Sequence, residues 1–206
     1  MKYLCLSFDD GPNFNGDNTM NDMLDYLESE NITASFFLIG NKINPQNRKV
    51  IERAFKMGCD IQNHSWNHPA MAKMPEKAIR DEFQKCDDAI YEITGVRPQF
   101  FRPPYISVSD QMYNAIPLPF ICGHGCKDWE PEVSAEERLK LMLEGTKDGT
   151  IFLLHVSDGN SPTLQAVKKF VPMMKARGYT FVNLPDLFKL EGVNPNMPKS
   201  LWTFLK

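Results

Sequence analysis

Residues 3–13 read YLCLSFDDGPN. A short apolar run ends at two adjacent aspartates, and Gly-Pro then turns the chain. The run Tyr3–Phe8 has the length and composition of a buried strand. Two neighbouring carboxylates repel each other, so their place at the mouth of the first strand needs a reason. One reason is turn chemistry, for which Asp-Asp-Gly-Pro-Asn is well suited. The other is a division of labour. Successive residues at a strand end point in different directions, so one carboxylate can hold a cation while the other stays available as a base.

Outward from this stretch, strand-like and helix-like segments alternate. Further strands are expected at Thr33–Ile39, Cys59–Gln62, Gln99–Arg102, Pro119–Cys122, Thr150–His155 and Thr180–Val182. Helices are expected at Asn18–Glu30, Arg48–Met57, Pro75–Ile93, Ala135–Glu144, Leu164–Arg177 and Pro185–Leu190. In the clearest of these, Ile79, Phe83, Cys86, Ile90 and Ile93 recur at steps of three and four, Pro75 suits the first turn and Gly95 the end. Such alternation makes an α/β protein with a mostly parallel sheet and helices outside it, closed as a barrel or open and doubly wound. Either way, chemistry gathers beyond the carboxyl ends of the strands. Asp9, Asp10, His64, His68, Arg102, Asp128 and His155 each fall at the end of an expected strand or shortly after one. With no repeat, low-complexity tract or linker, the 206 residues are expected to form one domain, 1–206.

Composition is that of an ordinary globular chain, 42% apolar and 24% charged. A net charge of −3 and the absence of a basic run give no electrostatic reason to expect nucleic acid or an anionic membrane as partner. No apolar stretch approaches the length of a membrane span. Lys2 is not followed by a signal-peptide pattern. Five cysteines without a tight framework suggest free thiols and a reducing compartment. The expectation is a cytoplasmic protein, or a secreted one if a leader was trimmed before this numbering. Oligomeric state is not legible.

Two of the four histidines form an H-x-x-x-H pair in NHSWNHP, residues 63–69. On a helical turn, side chains four apart share a face and could reach one ion. Two histidines and a carboxylate make an open site for zinc or another divalent transition metal. The competing reading is two unrelated surface histidines. The same ligand set also serves non-haem iron oxygenases, but that chemistry leaves Asp9, Arg102 and Asp128 without roles.

SFDDGP, HSWNH, RPPY (Arg102–Tyr105), KDW (Lys127–Trp129) and LLH (Leu153–His155) occur in this order. Together they resemble the five motifs of polysaccharide deacetylases, the NodB-homology group or carbohydrate esterase family four. The resemblance implies a distorted (β/α) barrel of about seven parallel strands and metal-dependent removal of acetyl groups from sugars. It further implies that Asp10, His64 and His68 hold a divalent ion, zinc first, with cobalt or another divalent ion as alternatives. Asp9 would be the general base, oriented by Arg102. His155 would be the general acid, its imidazolium held by Asp128. Trp129 and Leu153 would line a pocket for the acetyl methyl, and the Tyr105 main-chain N–H would help bind the oxyanion. A sugar-binding protein that had kept this fold and lost catalysis would not need intact Asp9 and His155.

Three positions depart from the usual pattern: Gly125 replaces an acidic or amide residue, Val156 replaces aspartate, and Ser7 replaces threonine. The Gly-Cys-x-Asp-Trp form of the fourth motif resembles xylan-acting esterases. The expected substrate is therefore O-acetyl xylan or its oligosaccharides, and the alternative is N-acetylglucosamine in chitooligosaccharide or peptidoglycan. Cys122, His124 and Cys126 could share one strand face, but a closed zinc site would want a fourth ligand. Phe36, Phe37, Phe100 and Phe101 read as core. Trp66 either flanks the groove or packs, and Trp202 and Phe204 are expected to pin the C-terminal tail.

Overall fold

The computed structural model describes residues 1–13 and 19–206. Among the described residues are eight strands, β1 Lys2–Gly11, β2 Ser35–Leu38, β3 Asp60–Asn63, β4 Phe120–Ile121, β5 His124–Gly125, β6 Thr150–His155, β7 Tyr179–Phe181 and β8 Leu201–Trp202, and seven α-helices between them. The helices are α1 Met20–Ser29, α2 Arg48–Lys56, α3 Glu76–Thr94, α4 Asp110–Ala115, α5 Ala135–Glu144, α6 Ser161–Ala176 and α7 Leu184–Glu191. The expected start of the first helix, Asn18, lies outside the described residues. Within them, Thr19 caps α1 and Asp22 returns the bond in a capping box.

The pairings run round a ring that the chain itself completes between β4 and β5. β1 pairs in parallel with β2 on one side and β6 on the other, and β2 pairs with β3. Asn63 bridges Phe101, Phe101 bridges Phe120, and β5 returns to β6. β7 lies beside the first residues of β1. The result is the expected distorted barrel. The expected strand Gln99–Arg102 is reduced to isolated bridges at Phe101, and the expected strand at Pro119–Cys122 is shorter, because Gly123 (φ +89°) breaks the run between β4 and β5. A Cβ at Gly123 would stand 2.9 Å from the Leu153 Cβ and 3.1 Å from Arg102 Nη2. Both the turn and the close approach therefore require glycine.

Period-two alternation sorts β1 between two cores. Leu4, Leu6 and Phe8 face outward beneath α1, α2 and α6, in a cluster with Phe36, Leu38, Phe152 and Phe170. Cys5 faces inward with Phe37, Phe100, Ile121 and Ile151, and α7 contributes Leu184, Leu187 and Phe188 to the same cluster. Ser7 and Asp9 continue the inward face of β1, so the chain itself turns polar toward the carboxyl end of the barrel. Phe101 joins a third cluster under α3 and α4. The two diphenylalanine pairs are thus core, as expected. The tail is pinned as expected: β8 pairs with β4, and Phe204 bridges Thr150. The short α4 and the two-residue β5 and β8 carry too few residues for a periodic signal.

Candidate active site

Asp9 and Asp10 end on the same site because β1 is bulged between them. Its register against β2 slips between Asp9 and Gly11, and Asp10 takes φ +69°. A regular strand would send the two side chains to opposite faces; the extra residue re-aims Asp10. Each carboxylate then meets the His64 Nε2, at 3.7 Å from Asp9 and 3.8 Å from Asp10.

The two aspartates differ in their partners. Asp9 is buried and accepts a 2.5 Å bond from Arg102 Nη1. Arg102 is itself fully buried, stacks over the Phe37 ring at 4.1 Å and donates from Nη2 to Ser7 Oγ at 2.7 Å. Ser7 donates onward to the Phe152 carbonyl at 2.5 Å. The serine that replaces threonine in the first motif therefore fixes the far end of the guanidinium. Asp10 is part exposed, and its Oδ1 lies 4.0 Å from His68 Nε2.

The H-x-x-x-H segment is not a helical turn, contrary to expectation. It is a loop after β3 in which Ser65 (φ +70°) and His68 (φ +56°) are left-handed. The turn is held by Asn63 Oδ1, which accepts the Ser65 N–H, and by Ser65 Oγ, which accepts the His68 N–H. Trp66 packs on this loop's supports rather than standing clear in the groove. A Cβ on Gly40 would strike its ring at 2.5 Å.

Asp10, His64 and His68 form the one group of metal-capable side chains among the described residues, their ligand atoms within 4.8 Å of each other. Two atoms each ~2.1 Å from a shared ion can be at most about 4.2 Å apart, and both imidazole–Asp10 distances satisfy that limit. His64 Nδ1 lies 2.7 Å from the Arg102 carbonyl. The carbonyl can only accept, so Nδ1 carries the proton and Nε2 keeps its lone pair for a cation. Burial and the neighbouring His64 hold the His68 imidazole below the usual histidine range, which suits a ligand. The donor set, one carboxylate and two imidazoles with Asp10 within 4.0 Å of each, suits a divalent ion. Cys122, His124 and Cys126 do not form a second such group: Cys126 is buried, and His124 points to the Leu141 carbonyl at 3.3 Å.

His155 ends β6 beside Asp9 in the parallel register. Asp128 Oδ1 lies 2.9 Å from its Nδ1, and Asp128 Oδ2 accepts its main-chain N–H at 2.7 Å. Burial opposes a charge on this ring. The charge and hydrogen bond of Asp128, with Asp9 and Asp10, outweigh burial and raise the His155 pKa to about 9. Trp129 is 55% exposed, its ring 6.1 Å from His155. A Cβ at Gly125 would meet that indole at 2.8 Å, so the glycine of the fourth motif makes room for the ring. Leu153 lies two residues before His155, on the same face of β6. Tyr105 is left-handed (φ +58°) and sets its ring on His68 at 4.6 Å. All ten residues picked out in the sequence thus gather at the carboxyl end of the barrel.

Over residues 1–117 the sequence matches the polysaccharide deacetylase family. The chain belongs to that family. Among polysaccharide deacetylases and their relatives, it is 43% identical over 205 residues to a bifunctional xylanase/deacetylase of Pseudobutyrivibrio xylanivorans, covering 100% of this chain but only 33% of that protein. The chain thus spans about a third of that relative's length. Among solved structures it resembles the Xyl-CE4 domain of a multidomain xylanase from the hindgut metagenome of Trinervitermes trinervoides, with a TM-score of 0.94 and 41% identity, covering 99% of this chain and 98% of that one. It also resembles a family 4 acetyl xylan esterase from Clostridium thermocellum in complex with a cobalt ion, with a TM-score of 0.91 and 35% identity, covering 98% of each chain.

Two further residues behind this candidate site were not singled out from the sequence. Thr163 Oγ1 donates to Asp128 Oδ2 at 3.1 Å, and Arg138 Nη1 donates to Thr163 Oγ1 at 2.9 Å. A signal existed for Arg138: it shares the buried face of α5 with Ala135 and Met142, where a cation is out of place.

Proposed function

We propose that this chain hydrolyses acetyl groups from carbohydrate with the help of a divalent cation, and that O-acetyl groups of xylan or xylo-oligosaccharides are its substrate. The observation that carries the reading is the pair of unlike aspartates, one clamped by a buried arginine and one set against two imidazoles, with His155 on the neighbouring strand. The xylan assignment is supported by the xylan-acting relatives and by the form of the fourth motif.

Asp10, His64 and His68 would hold the ion, zinc first, with cobalt or another divalent ion as alternatives. When bound, it supplies Lewis acidity to the acetyl carbonyl and to a water molecule. Asp9, oriented by Arg102, takes the proton of the attacking water. The Tyr105 main-chain N–H donates to the oxygen on which negative charge develops. Trp129 and Leu153 bound the space for the acetyl methyl. His155, with its pKa raised to about 9, begins protonated at neutral pH and gives that proton to the departing sugar oxygen.

A second reading, N-acetyl groups of glucosamine-containing glycans, is favoured by the same protonated His155, because a departing amine needs a proton even more than an alcohol does. Acetate release from acetylated xylan and from chitooligosaccharides, by metal-stripped protein with zinc, cobalt and other divalent ions added back singly, tests both. Faster release from xylan, restored by zinc, is expected. No release from any acetylated glycan with any ion overturns the proposal.

A further inference from the structure

Arg138 is 1% exposed, yet its hydrogen bonds go to neutral acceptors. Its Nε donates to the Val133 carbonyl at 2.9 Å and its Nη2 to the Glu130 carbonyl at 3.1 Å. Its Nη1 donates to Thr163 Oγ1 at 2.9 Å and to Asn160 Oδ1. These acceptors belong to two segments, the loop after Asp128 and the first turn of α6 with its cap. A buried guanidinium is costly unless every direction is answered, so this one locks the two segments together.

The direction of the bonds decides what the lock does. A guanidinium can only donate and a carboxylate can only accept. Thr163 Oγ1 stands between Arg138 and Asp128, and its hydroxyl carries one proton. Arg138 fills the acceptor side of that oxygen, so the proton is forced toward Asp128 Oδ2 at 3.1 Å. Oδ2 also takes the His155 main-chain N–H, and Oδ1 takes Nδ1–H of the ring. The Asp128 carboxylate is thereby fixed in rotation as well as in place. We propose that Arg138, acting through the Thr163 hydroxyl, is the positioning device that aims the Asp128 carboxylate and, through it, the His155 ring. Neither residue touches substrate; both act through Asp128. The inference rests on the reading of His155 as proton donor.

The isosteric variant Thr163→Val removes the hydroxyl and leaves Arg138 in place. In the metal-loaded enzyme, kcat is expected to fall about 10-fold, the usual scale for losing a group that orients a functional side chain, with KM within about twofold. Thr163→Ser restores kcat, which a loss of packing alone would not allow. In an Asp128→Asn background, Thr163→Val adds no further loss, because the partner it aims is already changed. The proton resonance of His155 Nδ1–H, recorded without substrate, is expected to shift in Thr163→Val and to return in Thr163→Ser. Should wild-type protein release no acetate, the proposed function fails, and the resonance still decides the positioning. A resonance that does not move in Thr163→Val overturns the inference.

Discussion

At the residue scale, adjacent Asp9 and Asp10 stand in different surroundings, which suits the separate roles proposed for them. Arg102, held by Ser7 and Phe37, engages Asp9, whereas Asp10 faces two imidazoles. Asp9→Asn keeps the shape and removes the carboxylate proposed as the base. Its kcat is expected to fall by about 10²–10⁴, with the thermal shift on zinc binding retained, as read by acetate release and by melting curves. The pH dependence follows from His155. Its pKa is raised in the folded protein to about 9, so the ring holds its proton at neutral pH and loses it as pH rises through that value. Activity that needs the proton should fall on the same side. The stability that the pair with Asp128 contributes is fully present below the ordinary histidine pKa of about 6.5 and is lost as pH rises through about 9. Asp128→Asn removes the main raising influence, so the alkaline limb of the pH–rate profile should move to lower pH. A limb that stays in place would show that another group governs it. The identities of these residues were legible in the motifs. The bulge that brings both aspartates to one site was not, because a positive φ at aspartate leaves no mark in a list of side chains.

At the element scale, the loops between strands and helices carry the site, and glycines set how closely their neighbours approach. Gly40 opens the 3-10 turn Gly40–Lys42, and any Cβ there would strike the Trp66 ring at 2.5 Å and stand 3.0 Å from the Cys86 Cα. The Cys86 backbone belongs to α3 and cannot easily give way. Gly40→Ala should therefore push the tryptophan, and with it the His64–His68 loop, out of position. The expected cost is about 1–3 kcal/mol in urea unfolding, together with weaker zinc binding by titration. Unchanged affinity would mean that the loop shape does not depend on that packing. Long elements such as α3 were legible because their apolar spacing repeats over many residues. The H-x-x-x-H spacing fits a helix equally well on paper, but the loop is shaped by bonds from Asn63 and Ser65 that spacing does not encode.

At the scale of the whole molecule, three ligands from the ends of β1 and β3 and the following loop would be joined by one ion. Binding to the folded chain alone raises its stability by about 2.7 kcal/mol at a hundred times the dissociation constant. For a chain of this size that is roughly 5–10 °C in Tm. Zinc added to stripped protein should raise Tm by that order, and His68→Ala should abolish the rise; an equal rise in the variant would place the ion elsewhere. The sequence alone determined the class of fold and picked out the residues that gather at the carboxyl end of the barrel, since alternation of apolar runs is local and the five motifs are contiguous. Only the tertiary structure decided how the barrel closes through the single residue Phe101, which loop shape brings the two histidines to Asp10, and that Arg138 and Thr163 stand behind Asp128. Those features depend on contacts between residues far apart in the chain, and a hydrogen bond that spans 25 or 35 positions leaves no periodic trace in the sequence.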